Sequence, residues 1–179
     1  NASGRLASAD LAMQLLLAAD ETTAMELASE LIRLNEERKE KTQLAVDAAV
    51  QLAEERVALS DKVLVLLLKD CHESVAGIVA GKIKETYNRP TIILTYGKDC
   101  VKGSARSTEY YNIIENLRAC SELLLHFGGH PMAAGLSIAE ENIALLRKRL
   151  NETANVTEED LAGKVSVDLI VPFSYVSEE

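Results

Sequence analysis

Long apolar runs are missing from this chain: none reaches the ~18 residues that a bilayer-spanning helix needs. No basic-then-apolar leader opens it either, so the expectation is a soluble, cytoplasmic protein without a membrane partner. Cysteine is scarce. Its three copies, Cys71, Cys100 and Cys120, are odd in number and widely spaced, which excludes the disulfide framework of a small secreted protein and leaves reduced, mostly buried thiols. Positive charge is in deficit, with 19 Lys and Arg against 28 Asp and Glu, which argues against indiscriminate nucleic-acid binding. Metal-ligand patterns are missing as well. Cys100, Cys120, His126 and His130 form no C-x-x-C pair, and the glycines between the histidines spoil an i,i+4 helical presentation, so zinc is disfavoured. No acidic cluster such as D-x-D or D-H-H is there to bind Mg²⁺ or Mn²⁺, and no metal ligand is assigned.

What the chain does have is globular composition, 47% hydrophobic and 26% charged, sufficient for one sizeable core. Its charge is uneven. Residues 1–60 carry 6 basic and 11 acidic side chains and residues 107–179 carry 5 and 12, whereas residues 61–106 carry 8 and 5. An anion site is therefore expected in the middle of the chain, with an acidic periphery discouraging binding elsewhere.

Periodicity divides the chain into three parts. In residues 1–59, Ser8 suits an N-cap and Ala9 to Ala19 a helix that is apolar almost all round. Asp20 to Thr23 resets the chain, and helical spacing runs from Ala24 to about Leu59 with no Pro or Gly. That helix is apolar at both ends and wholly polar from Asn35 to Gln43, the pattern of a bridge between two packed bodies. Residues 60–160 predict an α/β layer with a mixed sheet flanked by helices. Its strands are expected at Val63–Leu68, Thr91–Thr95, Val101–Ser107 and Met132–Ile138, and its helices at Ser74–Tyr87, Tyr111–Leu124 and Glu140–Leu150. Gly77 and Gly81, four apart on one helix, suggest a close packing contact. Residues 161–179 read as a linker, and Lys164 to Phe173 as a further strand opening another domain.

Three segments combine glycine with polar side chains. In Gly103-Ser104-Ala105-Arg106-Ser107, glycine admits a close ligand, hydroxyls donate to phosphate oxygens and Arg forks two bonds onto one phosphate. In Phe127 to Gly135, two glycines before His130 suit a tight loop aiming an imidazole at phosphate or serving as acid or base. Asn1-Ala2-Ser3-Gly4-Arg5 is a glycine-arginine turn before a helix.

In this order, NASGR at 1–5, HESVAGIVA at 72–80, GSARS at 103–107 and GGHPMAAG at 128–135, with the long helix, resemble the C-terminal motifs of the DHH phosphoesterase superfamily. The RecJ branch of single-strand exonucleases is the nearest match. The resemblance implies a DHH-associated domain joined by the long helix to an upstream DHH domain that binds two Mn²⁺ or Mg²⁺ ions, with an OB-like domain following. It implies a substrate-gripping half of a 5′→3′ single-stranded DNA exonuclease of repair and recombination, inactive without the metal-holding domain. It further implies that Arg5, Ser104 and Arg106 hold the 5′ phosphate of single-stranded DNA, and that Gly129 and His130 face the scissile phosphate, His130 in the catalytic role. Cys71-His72-Glu73-Ser74 departs from the Trp-His-x-Gly usual in that branch, so His72 is given no role. Two other functions fit related motifs: an oligonucleotide or cyclic-dinucleotide phosphodiesterase, and a non-catalytic replication scaffold. The apolar helices are expected to make the isolated chain self-associate.

Overall fold

In a computed structural model, which describes residue 4, residues 9–162 and residues 168–175, the first elements are helical. Helix α1 spans Asp10–Leu16, shorter than the 9–19 expected; the anticipated cap Ser8 lies outside the described residues. Helix α2 runs unbroken over Glu21–Ala58, 38 residues, or roughly 57 Å at 1.5 Å per residue. It starts three residues earlier than apolar spacing suggests because Asp20 caps it. The Asp20 carboxylate accepts from the Thr23 amide and hydroxyl, both at 2.8 Å, and these bonds hold its pKa below the ordinary carboxylate value. The polar middle of α2 is laced by Arg33–Glu30, Arg33–Glu37, Lys39–Glu36 and Lys41–Glu37 pairs. Its second half buries Ala45, Ala49 and Ala53, a one-sided stripe at i,i+4 spacing that lets the helix lie close to its neighbours.

Then come β1 (Leu64–Leu67), α3 (Glu73–Tyr87), β2 (Thr91–Tyr96), β3 (Val101–Arg106), α4 (Ile113–Arg118), β4 (Leu124–His130), β5 (Ala133–Ile138), α5 (Ile143–Thr153) and α6 (Glu158–Leu161). The five strands form one sheet in the order β1-β2-β3-β5-β4. Only β1 and β2 are parallel, joined through α3; the other three pairings are antiparallel. The sheet is thus the mixed α/β layer that the alternation of strands and helices predicted.

Strand alternation gives the sheet two different faces. On one, Val65, Ile92, Leu94, Val101, Ala105, Leu136 and Ile138 pack with Ile113 and Leu117 of α4 and Leu146 and Leu150 of α5. On the other, Leu64, Leu66 and Ile93 pack with the alanine stripe of α2 and with Val75, Val79 and Ile83 of α3. Asn151 ties α5 to the entry of β1, accepting from the Lys62 and Val63 amides at 2.6 and 3.0 Å and donating to the Val63 carbonyl at 2.9 Å.

Three expectations need correction. The glycine-rich segment before His130 is not a loop: Leu124–His130 is an edge strand, and the turn is the short Pro131-Met132 connection to β5. The helix expected over 111–124 is only Ile113–Arg118 plus a 3₁₀ turn at Ser121–Leu123, with β4 starting at Leu124. The strand expected over 164–173 lies partly outside the described residues. Within them, 168–172 form no strand and Phe173–Tyr175 is a 3₁₀ turn.

Candidate nucleic-acid interface

The face of the sheet that α2 and α3 cover is only half covered. Helix α3 lies over β2 and β3, and nothing described lies over β5 and β4, where Gly128, His130 and Gly135 are exposed. Register fixes what stands on this open face. Lys102, Ser104 and Arg106 of β3 pair with Ser137, Gly135 and Ala133 of β5. These pair in turn with His126, Gly128 and His130 of β4. Residues paired directly share a face, so the whole block of Lys, Ser, Arg, His and Gly points to one side. A cavity of about 630 Å³ opens there, lined by Ser74, Lys102, Ser104, His126, Gly128 and Ser137 among others.

Arg106 is the unusual member. It is half-buried, and its Nη1 donates to the Ala105 carbonyl at 2.7 Å and to Ser104 Oγ at 3.5 Å. Among the described residues it forms no ion pair, in a chain where acidic side chains outnumber basic ones. A partly desolvated guanidinium without a carboxylate readily donates to phosphate oxygens. Gly77 of α3 makes room for it: a Cβ there would stand 2.9 Å from both Arg106 Nη2 and Ser104 Oγ. Gly81 has no such neighbour, with nothing within 4 Å, so the close contact inferred from the glycine pair belongs to Gly77 alone.

His130 ends β4, two strands from Arg106, or about 9.5 Å across the sheet. It is exposed, and its Nδ1 accepts from the Met132 amide at 3.4 Å, which leaves the proton of the neutral ring on Nε2. Gly129 has φ +151°, and a Cβ on it would stand 2.6 Å from Ala134 Cα, so only glycine fits this point of the hairpin. Alternation puts Gly128, rather than Gly129, on the open face. Arg5 lies outside the described residues. The structure therefore brings Ser104, Arg106 and His130 to one surface and sets Gly129 behind it as the residue that lets the strands approach.

Sequence reasoning missed Lys102, His126 and Ser137. The signal for Lys102 was available, since stepping back by two from Arg106 and Ser104 reaches it. His126 had none, because β4 was read as a loop. His72 turns out to cap α3: its Nδ1 accepts from the Ser74 amide at 3.3 Å and lies 2.7 Å from Ser74 Oγ. Cys71 and Cys120 are buried, which raises both thiol pKa values and makes them unreactive. Among the described residues no three of His, Cys, Asp or Glu stand together in a way that could hold a metal. No described helix is long and apolar enough to cross a membrane.

The DHHA1 domain family model matches residues 60–156, the segment that builds the sheet and its open face. The chain is 41% identical over 174 residues to the single-stranded-DNA-specific exonuclease RecJ of Bacillus subtilis, covering 95% of this chain and 22% of that protein. It is 34% identical to the RecJ of Thermus thermophilus, over 86% of this chain and 22% of that one. The fold is similar to that of a crystal structure of exonuclease RecJ bound to manganese, with TM-score 0.78 and 33% identity over 89% of this chain and 40% of the other. It is likewise similar to Thermus thermophilus RecJ in complex with Mn²⁺, with TM-score 0.75 and 34% identity over 84% and 22%. The chain thus spans under a third of the curated relatives' length in these matches. With more than half its residues matched to one family model, and the same fold in solved relatives, this chain belongs to the DHHA1 domain family and resembles RecJ over most of its length.

Proposed function

We propose that the chain is the substrate-gripping part of a RecJ-like 5′→3′ single-stranded DNA exonuclease, acting in the cytoplasm in repair and recombination. The observation that carries this reading is Arg106, half-buried beside Ser104 and without a carboxylate partner, on an open glycine-floored face. Ser104 and Arg106 hold the 5′ phosphate there, joined by Arg5, through charge-assisted bonds that a neutral end does not make. His130 presents Nε2–H to an oxygen of the scissile phosphate, where a positioned donor stabilises charge that builds up in the transition state. Gly129 serves by holding the hairpin tight enough to place His130.

The described residues do not fit a Mn²⁺ or Mg²⁺ site, so in this reading the metals belong to a DHH domain elsewhere in the protein. The chain alone then binds but does not hydrolyse. An open groove suits a polymer better than the enclosed site expected for a cyclic dinucleotide. In the full-length protein, Arg106→Ala is expected to reduce cleavage mainly at 5′-phosphorylated ends. Equal loss at unphosphorylated ends removes the phosphate-pocket assignment.

The helical end has a partner of its own in this reading. Met13, Leu16, Leu17, Met25 and Ile32 are 60–86% exposed, an apolar surface on α1 and the first half of α2 that favours docking of the DHH domain or, without it, of a second copy. Light scattering of the isolated chain at rising concentration should show self-association, and a strictly monomeric species contradicts it.

A further inference from the structure

A second, larger cavity of about 1080 Å³ opens beyond the C-terminal ends of the parallel strands β1 and β2, against the middle of α2. It adjoins the cavity over the open face, the two sharing Glu73 and Lys102 in their linings, which pair with each other at 3.1 Å. Crevices outside the carboxyl ends of parallel strands are common ligand sites in α/β sheets. Four lysines line this one, Lys41, Lys69, Lys98 and Lys102, against two carboxylates, Asp70 and Glu73. Lys41 is paired with Glu37 and Lys102 with Glu73. Lys69 and Lys98 are exposed and form no ion pair among the described residues. The floor is apolar: Leu44 is 71% exposed on α2, beside Leu52 and Leu67.

The direction of β3 connects this cavity to the phosphate pocket. Arg106, Ser104 and Lys102 stand in a row on one face, about 6.6 Å between neighbours, and the row leads toward the end of the sheet where Lys98 and Lys69 stand. We propose that this cavity is a second subsite, holding a segment of single-stranded nucleic acid that lies downstream of the scissile phosphate at His130. Lys69 and Lys98 face its phosphates, and Leu44 gives its bases an apolar surface in a sequence-independent way. The proposal rests on the phosphate-pocket reading only for which end of the strand lies at Arg106.

Fluorescence-anisotropy titrations of this chain with oligothymidylates, a trinucleotide and a dodecamer, each with and without a 5′ phosphate, test it. Both lysines are exposed, so the double variant Lys69→Gln, Lys98→Gln should fold like the wild type, as circular dichroism will show. The dodecamer should bind at least tenfold more tightly than the trinucleotide. The double variant should abolish that gain, lower the dependence of log Kd on log salt by about 1.4 at about 0.7 per phosphate contact, and leave the trinucleotide unaffected. Leu44→Ser should remove part of the gain without changing the salt slope. A dodecamer bound as tightly by the double variant overturns the subsite while a surviving 5′-phosphate preference of the trinucleotide keeps the pocket. A lysine-dependent length gain without any 5′-phosphate preference overturns the pocket and keeps the subsite. No dodecamer binding by the folded chain overturns the subsite outright.

Discussion

The two halves of the sheet obey opposite rules. In β1 and β2, nearly every side chain is buried, with Leu64, Leu66, Ile92, Ile93 and Leu94 at 1% exposure or less, and helices lie on both faces. In β3, β5 and β4, one face carries the same kind of core while the other alternates Lys102, Ser104, Arg106, Ser137, Gly135, His126, Gly128 and His130 into an open groove. One half is built for stability and the other borrows its rigidity to hold polar groups in place. A guanidinium can be kept half-buried without a carboxylate only if its neighbours cannot collapse onto it.

The largest effect expected from breaking this contrast is on the covered half. Ile93→Ala removes a fully buried side chain between the sheet and α3 and should cost about 2–5 kcal/mol in a urea titration, with 5′-phosphate preference retained wherever the protein stays folded. On the open half, Arg106→Ala should barely alter the urea midpoint yet weaken binding of a 5′-phosphorylated oligonucleotide roughly 10- to 100-fold, the range of a charge-assisted bond. Loss of stability with unchanged binding would place Arg106 with the structural half instead.

The glycines of α3 sharpen the comparison within a single helix. Gly77→Ala puts a methyl group 2.9 Å from Arg106 Nη2 and Ser104 Oγ. Those side-chain ends can move aside, so the fold should survive while phosphate binding weakens by roughly tenfold. Gly81→Ala meets open space and should stabilise the helix by up to about 1 kcal/mol with no change in binding. If the two variants behave alike, the fit of Gly77 over Arg106 is not what positions the guanidinium.

Much of the covered half was legible in the sequence, because continuous apolar runs such as Val63 to Leu68 and Thr91 to Thr95 have few ways to be buried. The long helix was legible from a 38-residue stretch without Gly or Pro. The open half was less so. Gly128-Gly129-His130 has almost no strand propensity and reads as a turn, yet it pairs with Ala133 to Gly135 because only residues without bulky side chains let those two strands meet. Strand β4 is therefore set by its partner rather than by its own residues. For the same reason Ser104 and Arg106 were found through a motif, while His126 and Ser137, which share their face only through register, were not.

The central claim is that the open half of the sheet recognises a phosphorylated strand end through Arg106. Titrating this chain with one short single-stranded DNA, with and without a 5′ phosphate, tests it most directly when repeated on Arg106→Ala. Tighter binding of the phosphorylated strand, lost in the variant, is the predicted result. Equal binding of both strands by the wild type, or a phosphate preference that survives in Arg106→Ala, would contradict it.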